Sequence, residues 1–178
     1  MDDHSHNLLP IRIWPDPVLL ARAQVVNTFD ESLAALAEAM IETMYSAEGV
    51  GLAAPQVGHS IRMFVADPQT TEEPNAQVFI NPEITMSGDI ESAEEGCLSI
   101  PDIRVQVRRS VIAKIRAQDV NGEWFELESD DFPARVWQHE FDHLEGTMIL
   151  DRMSPMDRLA TRKAVKAMRL DAEGKYPK

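Results

Sequence analysis

The residues from Trp137 to Gly146 contain the pattern His-Glu-x-x-His, with His139 and His143 four apart and Glu140 between them. On an α-helix, residues four apart differ by about 40° around the axis, so the two imidazoles stack on one face and can hold one divalent metal ion. Glu140 lies about 100° round from His139, within reach of a water beside such an ion. Its expected task is to accept a proton rather than to ligate.

Two histidines do not complete a catalytic metal site, which needs three protein ligands and an open position. One class of metalloprotease has a third His six residues after the second, but here that position is Ile149. Another has a Glu on the next helix, and no Glu occurs between Arg152 and Ala172. The third ligand therefore has to come from upstream. Cys97 is the chain's single cysteine and sits in Glu95-Gly96-Cys97-Leu98-Ser99. A lone cysteine is more often a small buried hydrophobe. Next to an incomplete His-Glu-x-x-His it becomes the candidate third ligand, because a thiolate and two imidazoles suit Zn²⁺ and imidazole also suits iron.

With these residues assembled, the chain resembles the peptide deformylase family. Three motifs carry the resemblance: Gly49-Val50-Gly51-Leu52-Ala53-Ala54-Pro55-Gln56, Glu95 to Ser99, and Gln138-His139-Glu140-Phe141-Asp142-His143-Leu144. They occur in the family's order, and the likeness runs from Ile13 to Pro155. The resemblance implies hydrolysis of the formyl group from the N-terminal formylmethionine of new polypeptides. It implies Fe²⁺ as the ion in the cell, with Zn²⁺ or Ni²⁺ in its place in preparations. It gives Gln56 the role of donating its side-chain amide to the substrate carbonyl oxygen, with the backbone N–H of Leu98 as a second donor. It places Gly49, Val50 and Gly51 against the substrate, with the main chain of Gly51 pairing with it.

The elements that must position these residues are legible from periodicity and punctuation. Asp130 or Asp131 can cap the metal-binding helix, Pro133 suits its first turn and Gly146 can end it. Val136, Trp137 and Leu144 supply its apolar contacts. Thr28 to Glu31 has the form of a capping box. Leu33, Leu36, Ala37, Met40 and Met44 follow at helical spacing, which predicts a helix ending near Ala47 with its methionines in the core. Gly49 to Gly58 suits a backbone lying close to a ligand. Residues 61–66 and 77–80 are expected strands, the second ended by Asn81-Pro82. The acidic run from Ile84 to Glu94 is expected to be a solvated rim. Residues 104–109 and 111–120 are further strands, and Asn121-Gly122 predicts a two-residue hairpin. Strands that precede a ligand-bearing helix give an α+β class, with antiparallel strands around a central metal-binding helix and a helix toward each terminus.

The length of 178 residues fits one domain spanning 1–178, with residues 1–7 as a tail in which His4 and His6 are solvated. No run is apolar enough to cross a membrane, no export signal is recognised, and one cysteine fits a reducing compartment, so the cytoplasm is expected. The net charge of -13 argues against a general nucleic-acid-binding surface. The segment 152–178 is the exception, a basic helix and tail with an excess of Lys and Arg over acids. Arg158, Arg162, Lys166 and Arg169 share one face of it, while Met156, Leu159, Ala160, Ala164 and Met168 are expected to pack on the body. By the resemblance, that basic face would attach the enzyme to ribosomes. A metalloprotease, a structural metal site and an enzyme acting on another formylated compound are the alternatives. The lack of a downstream ligand opposes the first, and the lack of a second cysteine opposes the second.

Overall fold

A computed structural model describes residues 8–176, so the expectations for His4, His6 and the rest of residues 1–7 lie outside it. A five-stranded antiparallel sheet runs in sequence order: β1 (Gly51–Ala53), β2 (Met63–Ala66), β3 (Gln77–Cys97), β4 (Ile100–Gln118) and β5 (Trp124–Ser129). The helices are α1 (Pro17–Leu20), α2 (Glu31–Ser46), α3 (Phe132–Leu144), α4 (Ile149–Arg152) and α5 (Pro155–Asp171).

Strand β2 shows how the layers are held. It is buried on both faces rather than alternating with solvent. Met63 and Val65 pack toward α2, joining Leu33, Ala37, Met40 and Met44. Phe64 and Ala66 point the other way, into a cluster with Phe79, Ile115, Trp137 and Leu144 that seats α3. Successive side chains of a strand leave on opposite faces, so one short apolar strand serves both helices. Phe64 and Phe79 stack with ring centroids 4.7 Å apart. Met40 and Met44 are fully buried, as expected of core filler.

Several local expectations are corrected. Residues 77–80 do not form a separate strand ended by Asn81-Pro82. The strand continues to Cys97 as half of one long hairpin with β4. Asn81 adopts a left-handed φ of 49° at a register shift between Ile80 and Glu83, which absorbs the proline as a bulge. The acidic rim of Asp89, Glu91 and Glu94 is exposed but lies within this strand. Asp30, not Thr28, caps α2, its carboxylate accepting from the Leu33 N–H. The β4–β5 connection spans residues 119–123 rather than two residues, because the Asp119 carboxylate accepts from the N–H groups of both Asn121 and Glu123 and closes a wider turn.

Helix α5 also packs differently from expectation. Met168 packs against the core as expected, but its partner there is Val165, and the Asp157 carboxylate accepts from the Gln106 N–H at 3.0 Å. Met156 and Leu159, expected to face the body, are 80% and 72% exposed, and Ala160 and Ala164 are exposed as well. The hydrogen bond to β4 selects the face bearing Asp157 and Val165, which a count of apolar residues does not reveal.

Candidate metal centre and active site

The tip of the β3–β4 hairpin and one face of α3 meet at the site. Cys97 ends β3, Leu98 and Ser99 form the turn, and α3 brings His139, Glu140 and His143. Asp131 caps α3, its carboxylate accepting from the Phe132 N–H, and Pro133 lies in the first turn. Trp137 and Leu144 anchor the helix in the core, so its ligand-bearing face is turned toward the hairpin.

The candidate ligands come together as expected. His143 Nε2 lies 3.5 Å from Cys97 Sγ and 3.2 Å from His139 Nε2. Among the described residues, these three are the group of possible ligands whose donor atoms all lie within 4.8 Å of one another. A tetrahedral ion at ordinary zinc–ligand distances would space two nitrogens about 3.3 Å apart and a nitrogen and sulfur about 3.6 Å apart. The donor set and its spacing therefore fit a divalent ion. Burial holds the His143 imidazole well below its ordinary pKa, in the neutral form a ligand requires.

The His139 ring is fixed from behind. Its Nδ1 lies 2.9 Å from Glu95 Oε2, so an Nδ1–H donated to this carboxylate leaves Nε2 free as a lone-pair donor. Glu95 is buried, and burial alone would raise its pKa. Hydrogen bonds from His139 and Arg109 overcome that cost and hold the carboxyl well below the usual range. Arg109 grips both Glu95 oxygens, at 2.6 and 2.9 Å, and donates to Asp142 at 2.8 Å. Arg135 adds a bond of 2.8 Å to Glu95.

Glu140 lines a cleft of about 690 Å³ together with Gly49, Val50, Gly51, Gln56, Leu98 and His139. Its Oε2 is buried without a hydrogen-bond partner among the described residues. Burial pushes its carboxyl up to about 7, the range in which a general base works at neutral pH. Gln56 lies on the 3₁₀ turn after β1. Its Oε1 accepts from the Ala53 N–H at 2.9 Å, which orients Nε2 toward Ser99 Oγ at 3.1 Å and Cys97 Sγ at 3.6 Å.

Residues 8–159 match the family model described as Polypeptide deformylase. The chain belongs to the polypeptide deformylase family. A curated peptide deformylase from Thermotoga neapolitana is 52% identical over 165 residues, covering 92% of this chain and 98% of the relative. The crystal structure of the Thermotoga maritima peptide deformylase superposes with a TM-score of 0.79 at 52% identity, covering 84% of this chain and all of the other. An inhibitor-bound peptide deformylase 1B from Arabidopsis thaliana gives 0.88 at 37% identity, with 95% and 96% covered. The reaction of the family, hydrolytic release of formate from the N-terminal formylmethionine of new polypeptides, is the activity of this chain. No helix among the described residues is long and apolar enough to cross a membrane.

Sequence reasoning named the candidate ligands but overlooked their supports: Arg109, Asp142, Arg135, Arg152 and Ser99. One signal was available for Arg109. It continues the alternation of the inward-facing Val105 and Val107, so a charge on that side of β4 had to be buried and paired.

Proposed function

We propose that the deformylation is carried out with one divalent ion held by Cys97, His139 and His143, with Glu140 as proton carrier. The observation that carries this reading is the convergence of three donor atoms beside an unpartnered, buried carboxylate oxygen. A divalent ion bound there supplies Lewis acidity and makes hydroxide available near neutral pH. Glu140 accepts the proton of the attacking water and later delivers it to the leaving amine. The Gln56 amide and the Leu98 backbone N–H donate to the oxyanion that develops on the formyl oxygen. Gly49, Val50 and Gly51, which line the cleft, offer main chain to the peptide behind the formyl group. Iron(II) is the ion implied by the family likeness, and the same donors accept Zn²⁺ and Ni²⁺.

The chain works as one domain over 1–178, in the cytoplasm, on formylmethionyl nascent chains, and α5 docks it on ribosomes. The deciding experiment is formate release from a formyl-Met-Ala-Ser peptide by the metal-loaded full-length chain. Turnover is expected, lost on chelation and restored by the ion. Absence of formate with any of the three ions would overturn this reading.

A further inference from the structure

Behind His139 the hydrogen bonds continue past Arg109 to the junction of α4 and α5. Arg109 uses all three of its nitrogens. Nε and Nη2 hold the two oxygens of Glu95, and Nη1 holds Asp142 Oδ2. Asp142 is gripped from its other side by Arg152, the last residue of α4, through Nε to Oδ2 and through Nη2 to Oδ1 at 2.6 Å. Glu95, Arg109 and Asp142 are 7%, 4% and 8% exposed, so little water is available to replace a lost partner. Arg152 is the outermost member, with its side chain 42% exposed.

We propose that Arg152 is a positioning residue for the metal ligand His139, acting through Asp142, Arg109 and Glu95. The inference rests on the metal centre proposed above. Two features make the path mechanical as well as electrostatic. Forked contacts, in which two nitrogens meet two oxygens, fix the plane of each carboxylate relative to each guanidinium. Arg109 also serves two carboxylates at once, so the hold of Arg152 on Asp142 sets how much of Arg109 remains for Glu95. With Arg152 gone, Asp142 draws Arg109 toward itself. The fork on Glu95 loosens, and Oε2, which holds His139 Nδ1, loses its fixed place. A ligand imidazole released from its supporting carboxylate binds its ion less well, by about 10- to 100-fold when that carboxylate is removed outright. Arg152 stands further along the path, so its removal should have a smaller effect in the same direction, about threefold or more.

The test is the rate at which the Zn²⁺-loaded full-length chain yields its ion to a chelator, together with the ligand-field spectrum of the Co²⁺-loaded form. Arg152→Gln should release Zn²⁺ faster than the parent chain and shift the Co²⁺ bands. Arg152→Lys, which keeps the charge but not the fork, should fall between the two. Glu95→Gln should be faster than either, and adding Arg152→Gln to it should give no further acceleration. Release from Arg152→Gln and Arg152→Lys at the parent rate would overturn the proposal. So would an Arg152 effect that multiplies undiminished on top of Glu95→Gln, since the influence would then bypass that carboxylate. If the parent chain itself takes up no ion, the metal-centre reading fails instead, and the two failures are told apart.

Discussion

A Cβ placed on Gly51 would lie 2.4 Å from Oε1 of Glu140 and 2.7 Å from its carboxyl carbon. Strand β1 therefore backs directly onto the carboxylate proposed to carry the proton, and only glycine leaves it room. Gly51→Ala should force the carboxylate aside by about 1 Å, a displacement that can cost roughly a hundredfold in turnover. The three atoms nearest that Cβ all belong to Glu140 and none to the candidate ligands, so metal content should hold. Formate release and bound metal measured on the same preparation check this, and normal turnover would refute it.

Glu140→Gln separates proton transfer from metal binding. The variant keeps the side-chain volume and removes the basicity of a carboxylate that lines the cleft and whose Oε2 is buried without a partner among the described residues. Bound metal should remain near one ion per chain, while turnover falls by about 10²-fold or more. Loss of the ion would instead identify Glu140 as a ligand.

Cys97 carries the chain's only sulfhydryl, and it lies beside the imidazoles of His139 and His143. Cys97→Ser replaces a soft thiolate by a hard hydroxyl, so metal affinity and activity should fall together. The parent enzyme should also lose activity in hydrogen peroxide through oxidation of this sulfur. Finding equal peroxide sensitivity in a Cys97→Ser form that still binds metal and turns over would exclude Cys97 as the target.

The helix half of the candidate metal centre was legible in the sequence because its geometry is local. His139, Glu140 and His143 are fixed by the helical period alone, and elimination left Cys97 to complete the set. The strand that carries Cys97 was misjudged because Asn81-Pro82 ends most strands. Here a left-handed Asn81, whose side chain bonds to the main chain of Val26 and to Gln118, turns that signal into a bulge. Pairing with a partner strand more than thirty residues away decides the matter, and no local pattern records it. The same holds for Arg109 and Asp142, whose burial is set by the contact between β4 and α3.

The last expectation concerns α5, where the structure narrows the candidate docking face. Arg158, Arg162 and Lys166 are exposed along one side of the helix, whereas the Arg169 guanidinium lies 5.5 Å from the centre of the Trp14 ring and is partly engaged within the chain. No residue of α5 is fully buried, so its surface is available while Val165 and Met168 tie it to the body. An anionic partner such as ribosomal RNA would be held through phosphate contacts, whose strength falls steeply with salt. Charge reversal at Arg158, Arg162 and Lys166 should abolish co-sedimentation with ribosomes at low salt. Turnover of a short formyl-Met peptide should be unchanged, because these side chains lie outside the residues that line the active-site cleft. Arg169→Glu should do less damage to ribosome binding than any one of the three. Co-sedimentation that survives the triple reversal, or that ignores ionic strength, would rule out this face as the docking surface.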